Sequence, residues 1–248
     1  MSLPRVSCYC ATYGRPWALE ESIASFLRQD YPGEKELIVL NDYSGHTLHC
    51  DAPGVKVYNV KAQIIPLGRK FNRTVELCTG DILLPWEDDD IFLSNRISYT
   101  VEHMKNGFFH THLAFFELAR MKLKISGNHY HCNMGVTKVL FEECGRYVEL
   151  DQCDLDVRLM QLLKRKSGHK GYTIANKDIF YVYRWGSVGS YHGSGWGLKK
   201  EKECISSGAA KVVDAQMKKG KVPLGDYDLV PRWSYDYEAV AKELVNDA

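Results

Sequence analysis

Four carboxylates in succession, Glu87-Asp88-Asp89-Asp90, follow the apolar run Ile82-Leu-Leu-Pro-Trp86. Acids crowded at the end of a strand repel one another unless solvent or a cation relieves the charge. A divalent metal is the natural relief; the plainer reading is a solvated acidic turn that caps a helix. Three further polar loops could share the place: Ala11-Thr-Tyr-Gly-Arg15, Asn41-Asp-Tyr-Ser44 and the glycine-rich Arg184-Trp-Gly-Ser-Val-Gly-Ser-Tyr-His192. Farther on, Asp151-Gln-Cys-Asp154 precedes an apolar helical pattern, where an acid can take up a proton or simply cap the helix.

These loops need elements to carry them. Strands are read at residues 6–10, 36–40, 55–60, 81–86 and 178–183, with extended runs at 108–116 and 121–125. Pro16 suits the first position of a helix whose Leu19, Ile23, Phe26 and Leu27 share a face, and Leu67, Phe71, Val75 and Cys78 mark a second. Ser94 is expected to cap a third helix, with Ile97, Val101 and Met104 inward, and Thr137 a fourth carrying Val139, Leu140 and Cys144. Leu155, Leu159, Leu162 and Leu163 mark another beginning near Asp151. Strand, helix, strand implies parallel pairing in an open α/β sheet, which gathers its ligand loops at the carboxyl ends of the strands.

The chain has 248 residues, 45% hydrophobic and 25% charged, enough for a full-sized core and unlike a disordered segment. Lys+Arg 32 against Asp+Glu 31 leaves a formal charge of +1, so no global field points to nucleic acid or membrane. The start, MSLPRVSCYCATYG, lacks the pattern of a signal peptide, no apolar run reaches membrane-span length, and the expected location is cytoplasmic. Eight cysteines occur without a C-x-x-C pair, which speaks against a zinc ribbon or dithiol motif and for small buried thiols.

Taken together, VSCYCATYGRPWALEESIASFLRQDYPGEKELIVLNDYS and GRKFNRTVELCTGDILLPWEDDDIFLSNRI resemble, in order and spacing, the opening blocks of family 2 glycosyltransferases. The resemblance is good over about residues 5–100 and looser over 130–195. It implies a GT-A fold, a mixed but mostly parallel sheet flanked by helices, and a nucleotide-sugar donor, with domain limits expected at 1–198 and an extension at 199–248. Within the domain, about 1–95 would form the nucleotide half and 96–198 the acceptor half.

Carried over by position, the resemblance implies that Asp42 contacts uracil, with Ala11 and Tyr13 lining the base. Glu87, Asp88 and Asp89 fall on the acidic motif: Asp89 on the metal, Asp88 on the ribose or donor sugar, with Asn41 and Glu87 replacing the more usual Asp. Arg15, Arg69, Asn72 and Arg184 are further donor-side candidates, Arg69 or Arg184 as charge near the diphosphate. His192 would complete the sphere of Mn²⁺ or Mg²⁺ from a glycine-rich closing loop. Keeping Arg158 in register puts Gln152 where the catalytic base belongs, and an amide cannot accept that proton; Asp151 is the candidate base and Asp154 the reserve.

The implied activity is a metal-dependent, inverting transfer of a sugar from a nucleoside-diphosphate sugar, UDP-linked, to an acceptor hydroxyl on a glycan, lipid-linked sugar or protein. Lys164-Arg-Lys166, Lys170 and seven lysines at 199–222 against three acids would instead suit a polyanion, such as a modified base in DNA, or form a solvated basic face. A nucleotidyltransferase should carry a glycine-rich basic loop after its first strand, whereas residues 11–15 hold one glycine and one arginine. A non-catalytic module of the same fold finds its support in Gln152. His110-x-His112 and His129-x-His131 have a zinc-like look without Cys or carboxylate at ligand spacing, and are expected to line the acceptor cleft or to pack.

Overall fold

Alternation along the first strand sets the layering. Val6, Cys8 and Cys10 join one apolar cluster and Tyr9 another, and neighbouring strands repeat the split: Leu37, Val39, Ile82 and Leu84 on the first side, Ile38 and Leu83 on the second. Successive side chains leave a strand on opposite faces, so a sheet apolar on both must be covered on both. The computed structural model describes residues 2–119, 122–150, 154–169, 171–184 and 205–246. Its strands are β1 (Val6–Thr12), β2 (Lys35–Asn41), β3 (His46–His49), β4 (Val55–Asn59), β5 (Ile82–Pro85), β6 (Ile91–Phe92), β7 (Phe108–His110), β8 (Leu113–Ala119), β9 (Lys122–Gly127), β10 (Met134–Thr137), β11 (Tyr181–Arg184) and β12 (Gly225–Asp228). The helices are α1 (Pro16–Leu27), α2 (Leu67–Glu76), α3 (Arg96–His103), α4 (Lys138–Glu143), α5 (Leu155–Ser167), α6 (Ile205–Lys218) and α7 (Tyr237–Asn246).

The central sheet has the order β4-β2-β1-β5-β10-β7. β4, β2, β1 and β5 run parallel, while β10 is antiparallel to both β5 and β7. One face is covered by Leu19, Ile23 and Phe26 of α1, the other by Val75 of α2 and Leu159 and Leu163 of α5. Full burial of each such side chain contributes about 1.5–3 kcal/mol. A second sheet, β6-β11-β8-β9, flanks the first, and β12 pairs in parallel with β3.

The expected strands and helices of the first hundred residues are present, with local differences. Leu27 and Val139, expected inside, are exposed, because each falls off the buried arc of its helix. Ser94 does not cap α3: its amide donates to Glu238, and Gln29 Oε1 accepts from the Ile97 amide instead. The same Gln29 amide group donates to the Leu93 carbonyl, which ties the end of α1 to the start of α3. Thr137 caps α4 as read, accepting from the Leu140 amide. The run at 108–116 breaks into β7 and β8, and the helix expected near Asp151 starts at Leu155.

The C-terminal extension is packed into this body. Leu229, Tyr237 and Ala241 belong to the main core, and Val213 and Val222 form a smaller cluster with Tyr43. Buried Glu20 of α1 accepts from Tyr227 Oη and the Val230 amide and pairs with Arg232. Among the described residues the cysteines are free thiols, four of them buried, and no helix is long and apolar enough to cross a membrane.

Candidate active site

Three of the loops singled out from sequence meet where β1, β2 and β5 end. Trp86, buried at the end of β5, donates its backbone amide to the Tyr9 carbonyl and its indole N–H to the Ser22 carbonyl, and Ser22 Oγ donates to the Glu87 carbonyl. That scaffold turns the acids inward. Asp88 accepts from Thr12 Oγ1 at 2.5 Å and from Arg15 Nε and Nη2 at 3.1 and 2.5 Å, while Arg15 Nη1 reaches Asp89 at 2.6 Å. Asp90 accepts from Tyr181 Oη and from the Arg184 amide at 2.9 Å. The Arg184 guanidinium bonds the Asp89 carbonyl and Glu21.

Arg15 compensates only part of this charge. Burial, then Asp89 and Glu87, push the Asp90 carboxyl well above the usual carboxylate range, and burial raises Asp88 with the Arg15 guanidinium opposing it. Ligand oxygens of Glu87, Asp89 and Asp90 lie within 4.8 Å of one another. Closely spaced carboxylate oxygens with too little positive charge around them fit a hard divalent cation.

From Glu87 a polar chain runs across the second apolar cluster. Its Oε1 lies 3.2 Å from His131 Nδ1; His131 Nε2 lies 2.5 Å from Tyr147 Oη, and Tyr147 Oη 2.5 Å from Tyr9 Oη. Arg96, fully buried, holds the backbone beside His131 by donating to the Cys132 and Met134 carbonyls at 2.8 and 2.6 Å, and burial brings its pKa down to about 10. Half-buried Asp156 of α5 faces this group. Burial raises its pKa, His131 opposes the rise and Glu87 adds to it.

The third loop is closed by a lysine. Asp42, buried at the end of β2, accepts from Lys70 Nζ at 2.5 Å and from the Ile64 amide at 2.8 Å. Lys70 also donates to the Thr12 carbonyl and lies over the Tyr13 ring. Tyr13 stands edge-on to Tyr43, whose hydroxyl reaches Met217 Sδ of α6.

Residues 7–113 match the family model described as Glycosyl transferase family 2. Over this stretch, which is less than half of the chain, the sequence is similar to family 2 glycosyltransferases. No curated protein sequence matches the chain. Among solved structures, the chain is similar to residues 1–349 of S. aureus TarS, at 14% identity and TM-score 0.51 over 73% of this chain and 60% of that one. It is also similar to the mannosyltransferase PcManGT from Pyrobaculum calidifontis, in complex with GDP-Man and Mn²⁺, at 15% identity and TM-score 0.54 over 73% and 56%. TarS 1–349 in complex with UDP-GlcNAc aligns at 12% identity and TM-score 0.50, over 98% and 71%. The first two matches thus span well under two thirds of those chains. At these identities the likeness establishes the fold, and the fold is GT-A.

The structure brings Ala11, Tyr13, Arg15, Asp42, Glu87, Asp88 and Asp89 to one end of the parallel strands. It places others elsewhere. Asn72 is a staple, exchanging hydrogen bonds with the Tyr147 backbone in both directions. Arg69 is exposed and paired with Glu149. Arg184 lies behind the acid loop on Glu21, buried, rather than toward a diphosphate. Asp154, the reserve base, is half exposed and paired with Arg158 one turn on, because it sits at the cap and points along the outer face of α5. Asp151 and His192 lie outside the described residues.

Several members of the site had no sequence signal that singled them out. Lys70 reads as one more helix-surface lysine, and nothing local shows that it faces Asp42. Tyr9 and Tyr147 read as core aromatics, and His131 as half of a histidine pair. Asp156 stands inside the segment that was compared with the family, at a position the motif leaves unspecified.

Proposed function

We propose that this glycosyltransferase moves a sugar from a nucleoside-diphosphate sugar, UDP-linked, to an acceptor hydroxyl with inversion at the anomeric carbon, assisted by Mn²⁺ or Mg²⁺. The observation that carries the reading is the gathering of Glu87, Asp89 and Asp90 oxygens within 4.8 Å at the carboxyl ends of β1 and β5. The complexes of the similar structures, UDP-GlcNAc in one and GDP-Man with Mn²⁺ in the other, support the same class of donor.

Asp89, with Glu87 and Asp90, would hold the cation, which supplies positive charge for the departing diphosphate. Tyr13 and Asp42 offer an aromatic face and a carboxylate to the base, with Lys70 holding Asp42 in place. Asp88, fixed by Thr12 and Arg15, is the rigid acceptor for ribose or sugar hydroxyls. The acceptor oxygen bonds to the anomeric carbon as the bond to the diphosphate oxygen breaks, and its proton passes to a carboxylate on the far side. Asp156 suits that role: it is half-buried, its carboxyl raised toward working pH, and it has no ion pair among the described residues.

Turnover of UDP-sugars with and without Mn²⁺ tests this. Asp89→Asn should abolish metal stimulation and lower kcat by about 10²-fold or more, the scale of one lost electrostatic contact in a transition state. Asp156→Asn should lower kcat by about 10²–10⁴-fold with donor affinity kept. If Asp156→Asn turns over normally while Asp151→Asn does not, the base is Asp151. If Asp89→Asn binds donor and turns over as wild type, the reading fails.

A further inference from the structure

Three imidazoles from two separate sequence pairs converge at one end of the β8–β9 pair. His110 closes β7, His112 stands just before β8, and His129 follows β9, where the Asn128 amide donates to the His112 carbonyl at 2.9 Å. The His112 ring is 4.9 Å from that of His110 and 4.7 Å from that of His129, edge-on to both, and one ligand nitrogen from each of the three lies within 4.8 Å of the others. We propose that His110, His112 and His129 form a binding site for a divalent transition metal of the zinc class, separate from the carboxylate site.

The second observation is His110 itself. It is fully buried, and among the described residues neither of its ring nitrogens has a hydrogen-bond partner, a costly state for a polar side chain without a ligand. Room for an ion is kept by Gly171, at φ +104°. A Cβ there would come within 3.1 Å of His112 Nε2 and 3.7 Å of His110 Nδ1.

Ligand type separates this site from the acid cluster. Neutral imidazoles suit Zn²⁺, Co²⁺, Ni²⁺ or Cu²⁺, whereas the carboxylates suit Mg²⁺ or Mn²⁺. Three protein ligands leave a fourth position for water. Lys164 is the opposing charge, its Nζ 3.5 Å from His129 Nδ1. An ammonium and a dication repel at this range, so Lys164 must swing outward when the ion binds. A bound ion would pin the ends of β8 and β9 to β7, two residues from the His131 that contacts Glu87.

The full-length chain titrated with Co²⁺ tests the site, because tetrahedral cobalt has an intense visible band and thiolate ligation adds a near-ultraviolet charge-transfer band. One equivalent should give the visible band without the thiolate band, and Zn²⁺ should displace it. His112→Ala and His129→Ala, at the outer side of the cluster and checked for native circular dichroism, should each lose it. Asp89→Asn should keep it, and Lys164→Met should saturate at lower cobalt. Absence of the band in the wild-type chain, its survival in both histidine variants, or a thiolate band pointing to Cys132 overturns the proposal. A null result here with Mn²⁺-dependent turnover intact leaves the glycosyltransferase reading standing.

Discussion

Arg15→Gln tests whether that guanidinium is the resting counter-ion of the acid cluster. Its side chain is 14% exposed and faces Asp88 and Asp89, whose side chains are 1% and 5% exposed, through ion pairs of 2.5 and 2.6 Å. Removing one member of a buried pair leaves an uncompensated charge and costs about 3–5 kcal/mol. Asp88 retains its bond from Thr12 and can take up a proton, which favours the low end, about 3 kcal/mol. For a chain of this size that lowers Tm by roughly 6–12 °C. The loss depends on pH: without Arg15 the folded-state pKa of Asp88 rises further, so the penalty is full above that pKa and shrinks as pH falls through it. A divalent cation should restore part of the loss, since binding at a hundred times Kd adds about 2.7 kcal/mol. Urea denaturation at pH 7 and pH 5, with and without Mn²⁺, reads each quantity. A loss under about 1 kcal/mol at pH 7, or an equal loss with and without Mn²⁺, refutes the reasoning.

Three other outcomes follow from the geometry. Cation affinity should fall as pH is lowered, since the raised pKa of Asp90 lets protons compete for the same oxygens; calorimetric titrations across a range of pH check this, and an affinity independent of pH would contradict it. Burial alone would raise the pKa of Glu36, but bonds from Ser7, Lys56 and Thr79 hold it down to about 2. Its contribution is therefore complete above the unfolded value near 4.5 and is lost as pH falls toward 2, a window that should flatten in Glu36→Gln. Gly14→Ala puts a Cβ 2.6 Å from Val213 Cγ1 at a φ of +68°. It should cost about 1–2 kcal/mol for the backbone and about 1–3 kcal/mol for the clash, of which Val213→Ala should relieve only the second in denaturant midpoints.

The α/β sheet and the place of its site were legible in sequence because both rest on local rules. Apolar strands such as residues 6–10 and 36–40 announce burial on two faces, Pro16 starts its helix, and in a parallel sheet the loops after such strands fall at one end whatever the detail of packing. The acid loop at 87–90 was legible for the same reason: it follows β5 directly. The extension was harder to read, since β12 pairs with β3 across most of the chain and carries little apolar alternation of its own.

What tertiary structure alone decided is who faces whom. Sequence names Asp154 but not which way it turns; the start of α5 at Leu155 sends Asp154 outward to Arg158 and Asp156, which no motif marked, toward His131. It names Arg15 but not that Arg15 neutralises buried carboxylates beyond β5, and it gives no sign that Lys70 does the same for Asp42. It offers two histidine pairs, and folding takes one residue from the second to complete a trio with the first. Spacing along an element fixes direction relative to that element's axis, whereas charge pairing and metal geometry depend on the distance between elements, which only the packed core sets.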